Sequence, residues 1–524
     1  MRVKTGRVLA GGIALTIVIA GVWAQRGLGQ ATLPKALASA KAQDRISGAD
    51  NCIRCHKEPL PADKQPGGAT EFLRMDESTI WDTDDLHKRA FDALKSPLGQ
   101  QMGRILKSDV TRDPRCLTCH AVDLMPEKRL ADKVADDFYT PFGVGCEACH
   151  GFSREWLRSH AIRNSWREKD PQEKENDGLW DMRNPARRAE RCTSCHVGSE
   201  PDGRFVTHEM YAAGHPPLPS LEVMSFSRDQ KMHYNLSRDL PYLVELARKD
   251  PDKSWRLFHF RGDDVESQVT RQLAVGAIMA LKANARLLAD KASGIDPSKD
   301  ALDLAHFDCY GCHHDLQSDG WRRARGFIGI PGRPQIRPGV ALLAKIVAEH
   351  AAAARNAGEF SPLRQFPDKF RALTAAFDAR PFGVPGDVTA AANGIVNWCD
   401  AVLKELDDVR YNKAETARLL KMIVAAGQRP PKDQPNPWVD ADAAQQLVWA
   451  AGALLPEIAD AAAAQRAADV LKSFENLKPQ VRETGNNDLL APHLGERLNR
   501  LYRFEPEHLY EKFAELAAIL GGSS

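Results

Sequence analysis

The first regular feature along the chain is an uncharged run. Residues 8–24 (VLAGGIALTIVIAGVWA) carry no charge and follow a start that holds Arg2, Lys4 and Arg7 without an acid. A basic start before a short apolar stretch predicts a secretory signal peptide, with small residues for cleavage at Ala24 and Ala31. The competing expectation is an uncleaved anchor over residues 1–31, at the short limit of what spans a bilayer. Both place the remainder outside the cytoplasm. Further on, Val265, Val269, Leu273, Ala277 and Leu281 recur every fourth residue, which predicts an amphipathic helix from Asp264 to Asp290 packed over the region before it. Leu342, Leu343, Ile346 and Val347 fit a second helix. Leu419, Leu420, Ile423 and Val424 fit another, and Leu447, Val448 and Ala461–Ala464 fit later ones. Breaks are expected at Gly383-Val384-Pro385-Gly386, at Pro430-Pro431 and at Pro435-Asn436-Pro437. Strand-like alternation is rare. The fold class expected is mainly α.

Residues 326–339 (GFIGIPGRPQIRPG) hold four glycines and three prolines and read as a linker. They separate an expected domain at 45–325 from an expected helical bundle at 340–524. Composition adds exclusions. A chain of 524 residues with net charge +1 gives no electrostatic reason for a nucleic-acid partner. A mean hydropathy of −0.42 excludes a polytopic membrane protein, which leaves the N-terminal segment as the one expected membrane contact.

The cysteines change the picture. Ten of the eleven fall in five C-x-x-C-H motifs: Cys52, Cys55 and His56; Cys116, Cys119 and His120; Cys146, Cys149 and His150; Cys192, Cys195 and His196; Cys309, Cys312 and His313. Composition alone would supply about 0.007 such motifs. The spacing is that of c-type haem attachment. Two thiols three positions apart meet the two vinyl groups of one porphyrin, and the adjacent histidine reaches the iron as proximal ligand. Zinc usually takes four ligands from paired elements, so five copies leave one without a mate. Disulfides within each motif would not account for the histidine that follows every time. Five covalently bound haems are therefore expected, so close along the sequence that they form much of the core of residues 45–325.

Whether each iron has a second ligand decides between electron transfer and catalysis, because an iron with two histidines is closed to substrate. The candidates for the second position are His87, His160, His208, His215 and His306, with Met210 a weaker one. His350, His493 and His508 lie beyond the motifs and are expected to be ordinary core or surface residues. Cys399 is expected to be a buried small apolar residue. The segment after residue 340 shows no metal-ligand cluster, phosphate loop or nucleophile constellation, so a structural cap or docking face is expected of it.

Several stretches resemble the multihaem cytochromes of the cytochrome c-552/c-554 type. They are residues 81–90 (WDTDDLHKRA), Gly143-Val144-Gly145 leading into Cys146, His160 after the third motif, and Thr207-His208-Glu209-Met210 with Gly214-His215-Pro216 after the fourth. The resemblance spans about residues 50–315. It implies that His87 partners His196, that His160 partners His56, and that His208 or His215 partners His150. In the tetrahaem relatives the second haem can lack a distal protein ligand, which leaves His120 open. The fifth motif lies outside that pattern, with His306 and His314 nearest to it. Stacked and perpendicular haem pairs are likewise implied. Two functions follow. One is an exported electron carrier between redox partner proteins, in the periplasm or an equivalent compartment. The other is a haem enzyme with one open iron, acting on a small nitrogen or sulfur oxide. Against the enzyme, C-x-x-C-K is missing, and five motifs are too few for a hydroxylamine oxidoreductase. The carrier is the favoured expectation.

Overall fold

The Gln268–Ser293 helix organises the packing in the computed structural model. It starts where the Ser267 side chain accepts from the Thr270 N–H. Leu273, Ala274 and Ile278 are wholly buried, and so are nearly all neighbours up to Leu281. Burying each of the two large side chains stabilises by about 1.5–3 kcal/mol. This differs from the one-sided helix expected from the sequence. Polar residues that break the apolar stripe, Thr270 and Gln272, are themselves enclosed. Thr270 meets the Thr416 hydroxyl at 2.9 Å, and Gln272 accepts from the Arg188 guanidinium at 3.2 Å. A helix segment covered on all sides needs no polar face, and only past Leu281 does this helix present one, with Lys282 half-buried and Arg286 exposed.

The structure describes residues 46–58, 75–123, 138–162, 166, 169–218, 220–229, 233, 266–296, 301–313, 320–333, 336–337, 339–433, 435–458, 461–474 and 504–521. The expected signal peptide or anchor lies outside them, as do His259, His314 and His493. Among the described residues no helix is long and apolar enough to cross a membrane.

The central helix packs against Pro185–His196 on the motif side. It also packs against Pro385–Leu406 and Gly339–Ala354. Gly276 permits a further close approach, since a Cβ there would lie 3.0 Å from the Val223 Cβ of the Val223–Asp229 helix. Beyond residue 354 the longer described helices are Phe366–Ala375, Lys413–Ala426, Ala441–Ile458, Ala461–Lys472 and Pro506–Gly521. Pro385 begins its helix rather than interrupting it, as the fixed φ of proline allows at a first turn. Cys399 is wholly buried on that helix, and burial pushes its thiol well up.

One apolar core runs from Ala189 through Leu273 and Phe307 to Leu520. It crosses residues 326–339, and residues 41–524 form one compact unit. The glycine- and proline-rich stretch is a connection laid over a shared core. The class is mainly α. The one sheet among the described residues is a two-stranded antiparallel pair, Val122–Asp123 with Phe138–Tyr139, in which Val122 faces Tyr139.

Candidate functional site

Each motif folds as a turn that brings its histidine back over its first cysteine. The Cys52 carbonyl accepts from Cys55 N at 3.1 Å and His56 N at 2.9 Å, and the Cys309 carbonyl accepts from His313 N at 2.8 Å. The second motif ends the Pro114–His120 helix, capped by the Asp113 carboxylate. The third makes up Cys146–His150, and the fourth ends Pro185–His196, capped by the Asn184 side chain. The motif histidine thus sits at or just past the end of a helical turn, free to project.

Residues inside and beside the motifs tie them to one another. Glu147 is buried, and its carboxylate accepts from the N–H groups of Ser47, Gly48 and Ser153 at 2.8–3.1 Å and from the Ser153 hydroxyl at 2.7 Å. That fixes the chain entering the first motif beside the third. The Arg191 guanidinium donates to the Ala148 carbonyl at 2.8 Å, joining the fourth motif to the third. Arg204 donates to the Thr118 carbonyl at 2.8 Å and the Ser194 hydroxyl at 3.0 Å, joining the second to the fourth. Thiols meet accordingly. Cys52 hydrogen-bonds Cys146, which lowers Cys52, and Cys119 hydrogen-bonds Cys195, which lowers Cys195 well below an ordinary thiol. Burial pushes Cys116 and Cys192 up to about 12. No disulfide joins any of the eleven cysteines. Among the described residues no group of three or more His, Cys, Asp or Glu is arranged to hold a metal ion, as a zinc site would need.

Every motif histidine faces a second histidine. Ring centres are 6.4 Å apart for His56 and His160, 6.4 Å for His120 and His215, and 6.2 Å for His150 and His233. They are 6.1 Å apart for His196 and His87 and 6.3 Å for His313 and His208. The other ring nitrogen is occupied in several. His56 Nδ1 meets Glu77 Oε2 at 2.9 Å, and His87 Nδ1 meets Asp85 Oδ1 at 2.9 Å. The Nδ1 atoms of His120, His160 and His215 meet the carbonyls of Ala90, Leu157 and Pro216 at 2.5–2.8 Å. Each of these contacts engages Nδ1 rather than Nε2.

The positions of the expected residues follow. His87 lies opposite His196 and His160 opposite His56. The third motif is a correction: His150 faces His233, a residue not singled out from the sequence, and neither His208 nor His215. Those two face His313 and His120. His306 stands apart from these five pairs. It stacks on Phe205, ring centres 4.9 Å apart and 19° from parallel. It sits on the Leu304–His306 turn just ahead of Cys309. Met210 is buried within His208–Ala213, and the second motif's histidine faces His215.

Two glycines set this geometry. Gly143 has φ +61°, and a Cβ there would lie 2.8 Å from the His87 carbonyl. The next residue, Val144, donates its N–H to that same carbonyl at 3.0 Å. Gly151, φ +82°, lets the Gly178 carbonyl pass where a Cβ would collide.

Electrostatics favour neutral imidazoles at the deepest positions. Burial, then neighbouring positive charge, pushes His150 and His196 down to about 4. Burial also lowers His120 and His160. The Glu77 hydrogen bond raises His56. Burial opposes a charge on His87, and Asp85 outweighs it. Glu77 and Asp85 resist their own burial and stay below the usual carboxylate range through these contacts. A neutral imidazole whose second nitrogen donates to a carboxylate or carbonyl is the form that binds metal.

The residues fit an iron between each pair. A metal–imidazole bond of about 2.0–2.1 Å on each side, plus about 1.1 Å from nitrogen to ring centre, puts ring centres about 6.2–6.4 Å apart. The observed spread is 6.1–6.4 Å. Two thiols stand beside every pair, which is the donor set of covalent haem.

Comparison with known proteins agrees with this donor set. Residues 51–151 match the family described as cytochrome c554 and c-prime. The chain is similar to cytochrome c-554 of Nitrosomonas europaea, at 24% identity over 159 residues, which is 30% of this chain and 59% of that protein. The chain thus spans about three fifths of the curated relative it matches. No solved structure matches.

Proposed function

We propose that this chain, a c-type cytochrome of the c-554 type, holds five covalent haem c groups with every iron closed by two histidines and passes electrons between redox partner proteins outside the cytoplasm. The observation that carries the reading is the set of five facing histidine pairs at one common separation. The proposed ligand pairs are His56 with His160, His120 with His215, His150 with His233, His196 with His87, and His313 with His208. The thioether positions are the ten motif cysteines. Bound haem supplies an iron that takes up and releases one electron.

The protein supplies the rest. Glu147, Arg191 and Arg204 hold the motifs at fixed separations, and the two thiol contacts support close neighbours, first with third and second with fourth. The hydrogen bonds of Glu77 and Asp85 strengthen His56 and His87 as donors and favour the oxidised iron of their pairs. His215 opposite His120 speaks against an open second iron, so no observation favours the enzyme reading. Helices beyond residue 339 cover the central helix and share its core, which supports a structural role for them.

The reading is tested by haem counting and ligand challenge on protein matured in an exporting host with haem-attachment machinery. Five haems per chain, and no spectral change with nitrite, hydroxylamine or carbon monoxide, are expected. Fewer than five, or one iron that binds a challenger at native pH, contradicts it.

A further inference from the structure

A cavity of about 70 Å³ lies inside the fold behind His196. Its wall includes three stretches that flank the fifth facing pair: Phe205 and Val206 just ahead of His208, Tyr211 one turn beyond, and Ala305 with His306 just ahead of Cys309. Leu281 and Leu288 of the central helix close it with apolar surface. No attachment cysteine lines it, and neither do both members of any histidine pair, so it is not the seat of a porphyrin plane.

Its polar groups converge without satisfying one another. His306 Nε2 and Ser220 Oγ are buried and have no hydrogen-bond partner among the described residues, with His306 9% and Ser220 3% exposed. A buried polar group of this kind destabilises the fold if nothing meets it. Arg337 brings positive charge to the wall. Its guanidinium donates to the Leu218 carbonyl at 3.1 Å and lies 3.5 Å from Asp442. Of the other acids nearby, one Asp303 oxygen already accepts from the N–H groups of His208 and Ala305, and Asp308 lies 3.9 Å from the Arg325 guanidinium. The wall therefore offers donors and a cation, and its acids face their own partners. An apolar molecule would leave both groups unmet, whereas an anion beside Arg337 can accept from the Ser220 hydroxyl and from His306 in its Nε2–H tautomer.

We infer that this cavity receives a carboxylate, the propionate of the porphyrin carried by Cys309 and Cys312, held by Ser220 and His306 beside Arg337. The inference rests on the haem reading above. It gives His306 a role as an anchor for the fifth porphyrin rather than as an iron ligand. A free oxyanion from solution has the same chemistry and is the competing source.

The test uses the full-length holoprotein and two small substitutions, Ser220→Ala and His306→Gln. Haem per chain is counted first, and resonance Raman spectra of the propionate-bending region are then compared with the parent. A shift of one haem's band in each variant, with five haems and an unchanged helical spectrum, is expected. Unshifted bands at full haem count overturn the inference and leave the haem reading standing. Loss of the fifth haem in the parent overturns both. Calorimetric titration of dialysed parent with inorganic phosphate separates the two sources. No uptake supports the propionate. Uptake of one phosphate per chain that Ser220→Ala abolishes assigns the cavity to a free anion and overturns the propionate.

Discussion

Asp85 holds His87 twice. One carboxylate oxygen accepts from the His87 backbone N–H at 2.9 Å and from its Nδ1 at 2.9 Å. The same residue therefore caps the turn and sets the ring's tautomer. A carboxylate on the far nitrogen makes the near one a stronger donor and stabilises the oxidised iron. Asp85→Asn keeps the shape and removes the charge. Its expected effect is a rise of roughly 40 mV in one midpoint potential, the one-electron equivalent of ~1 kcal/mol. Spectroelectrochemical titration checks it, and five unchanged potentials would argue against the contact's role.

His233 and His306 give a paired test of ligation. His233→Ala should expose one iron, so that one haem in five binds carbon monoxide when reduced. His306→Ala should expose none. The reverse pattern would return His306 to the role that the sequence suggested for it.

The motif cysteines and histidines stand out in the sequence itself, because the attachment proposed for them needs its residues adjacent. The facing histidines were only partly so. His87 and His160 lie on stretches with recognisable neighbours. His233 lies 83 positions after His150 with no motif around it, and only the folded chain brings the two together. His306 was chosen for its nearness in sequence, three positions ahead of Cys309, and in the fold its ring stacks on Phe205. The burial of residues 272–281 on every side was hidden for a similar reason. Thr270 and Gln272 are polar in the sequence, and only the fold supplies their partners, Thr416 and Arg188.

Gly143 should be intolerant of a side chain. Its φ of +61° and the 2.8 Å approach to the His87 carbonyl both oppose a Cβ. Gly143→Ala is expected to cost about 1–3 kcal/mol and to disturb the fourth motif's iron before the others. Thermal unfolding with EPR of the ferric protein reads both effects. An unchanged melting temperature would contradict the strain.

Asp440 provides a pH signature. It is 2% exposed, and burial, then the charges of Asp442 and Asp308, raise its carboxyl to about 7 against the pull of Arg325. The unfolded chain releases this proton near the usual carboxylate range, well before the folded chain does. The contribution to stability is thus complete below about pH 4 and declines as pH rises through about 7. Asp440→Asn retains an acceptor for the Ala443 N–H, which meets Oδ1 at 2.8 Å, and should flatten that part of the profile. Denaturant midpoints between pH 4 and 8 decide it. A variant whose slope matches the parent would rule the group out.

The coordination of the five proposed irons is the central claim, and the second is the most exposed, since it depends on His215 facing His120 with ring centres 6.4 Å apart. Low-temperature near-infrared magnetic circular dichroism of the oxidised holoprotein, together with its EPR spectrum, counts irons with two histidine ligands. Five low-spin bis-histidine irons, with no high-spin signal, are predicted. A high-spin ferric signal amounting to one iron per chain that shifts when nitrite is added would contradict it.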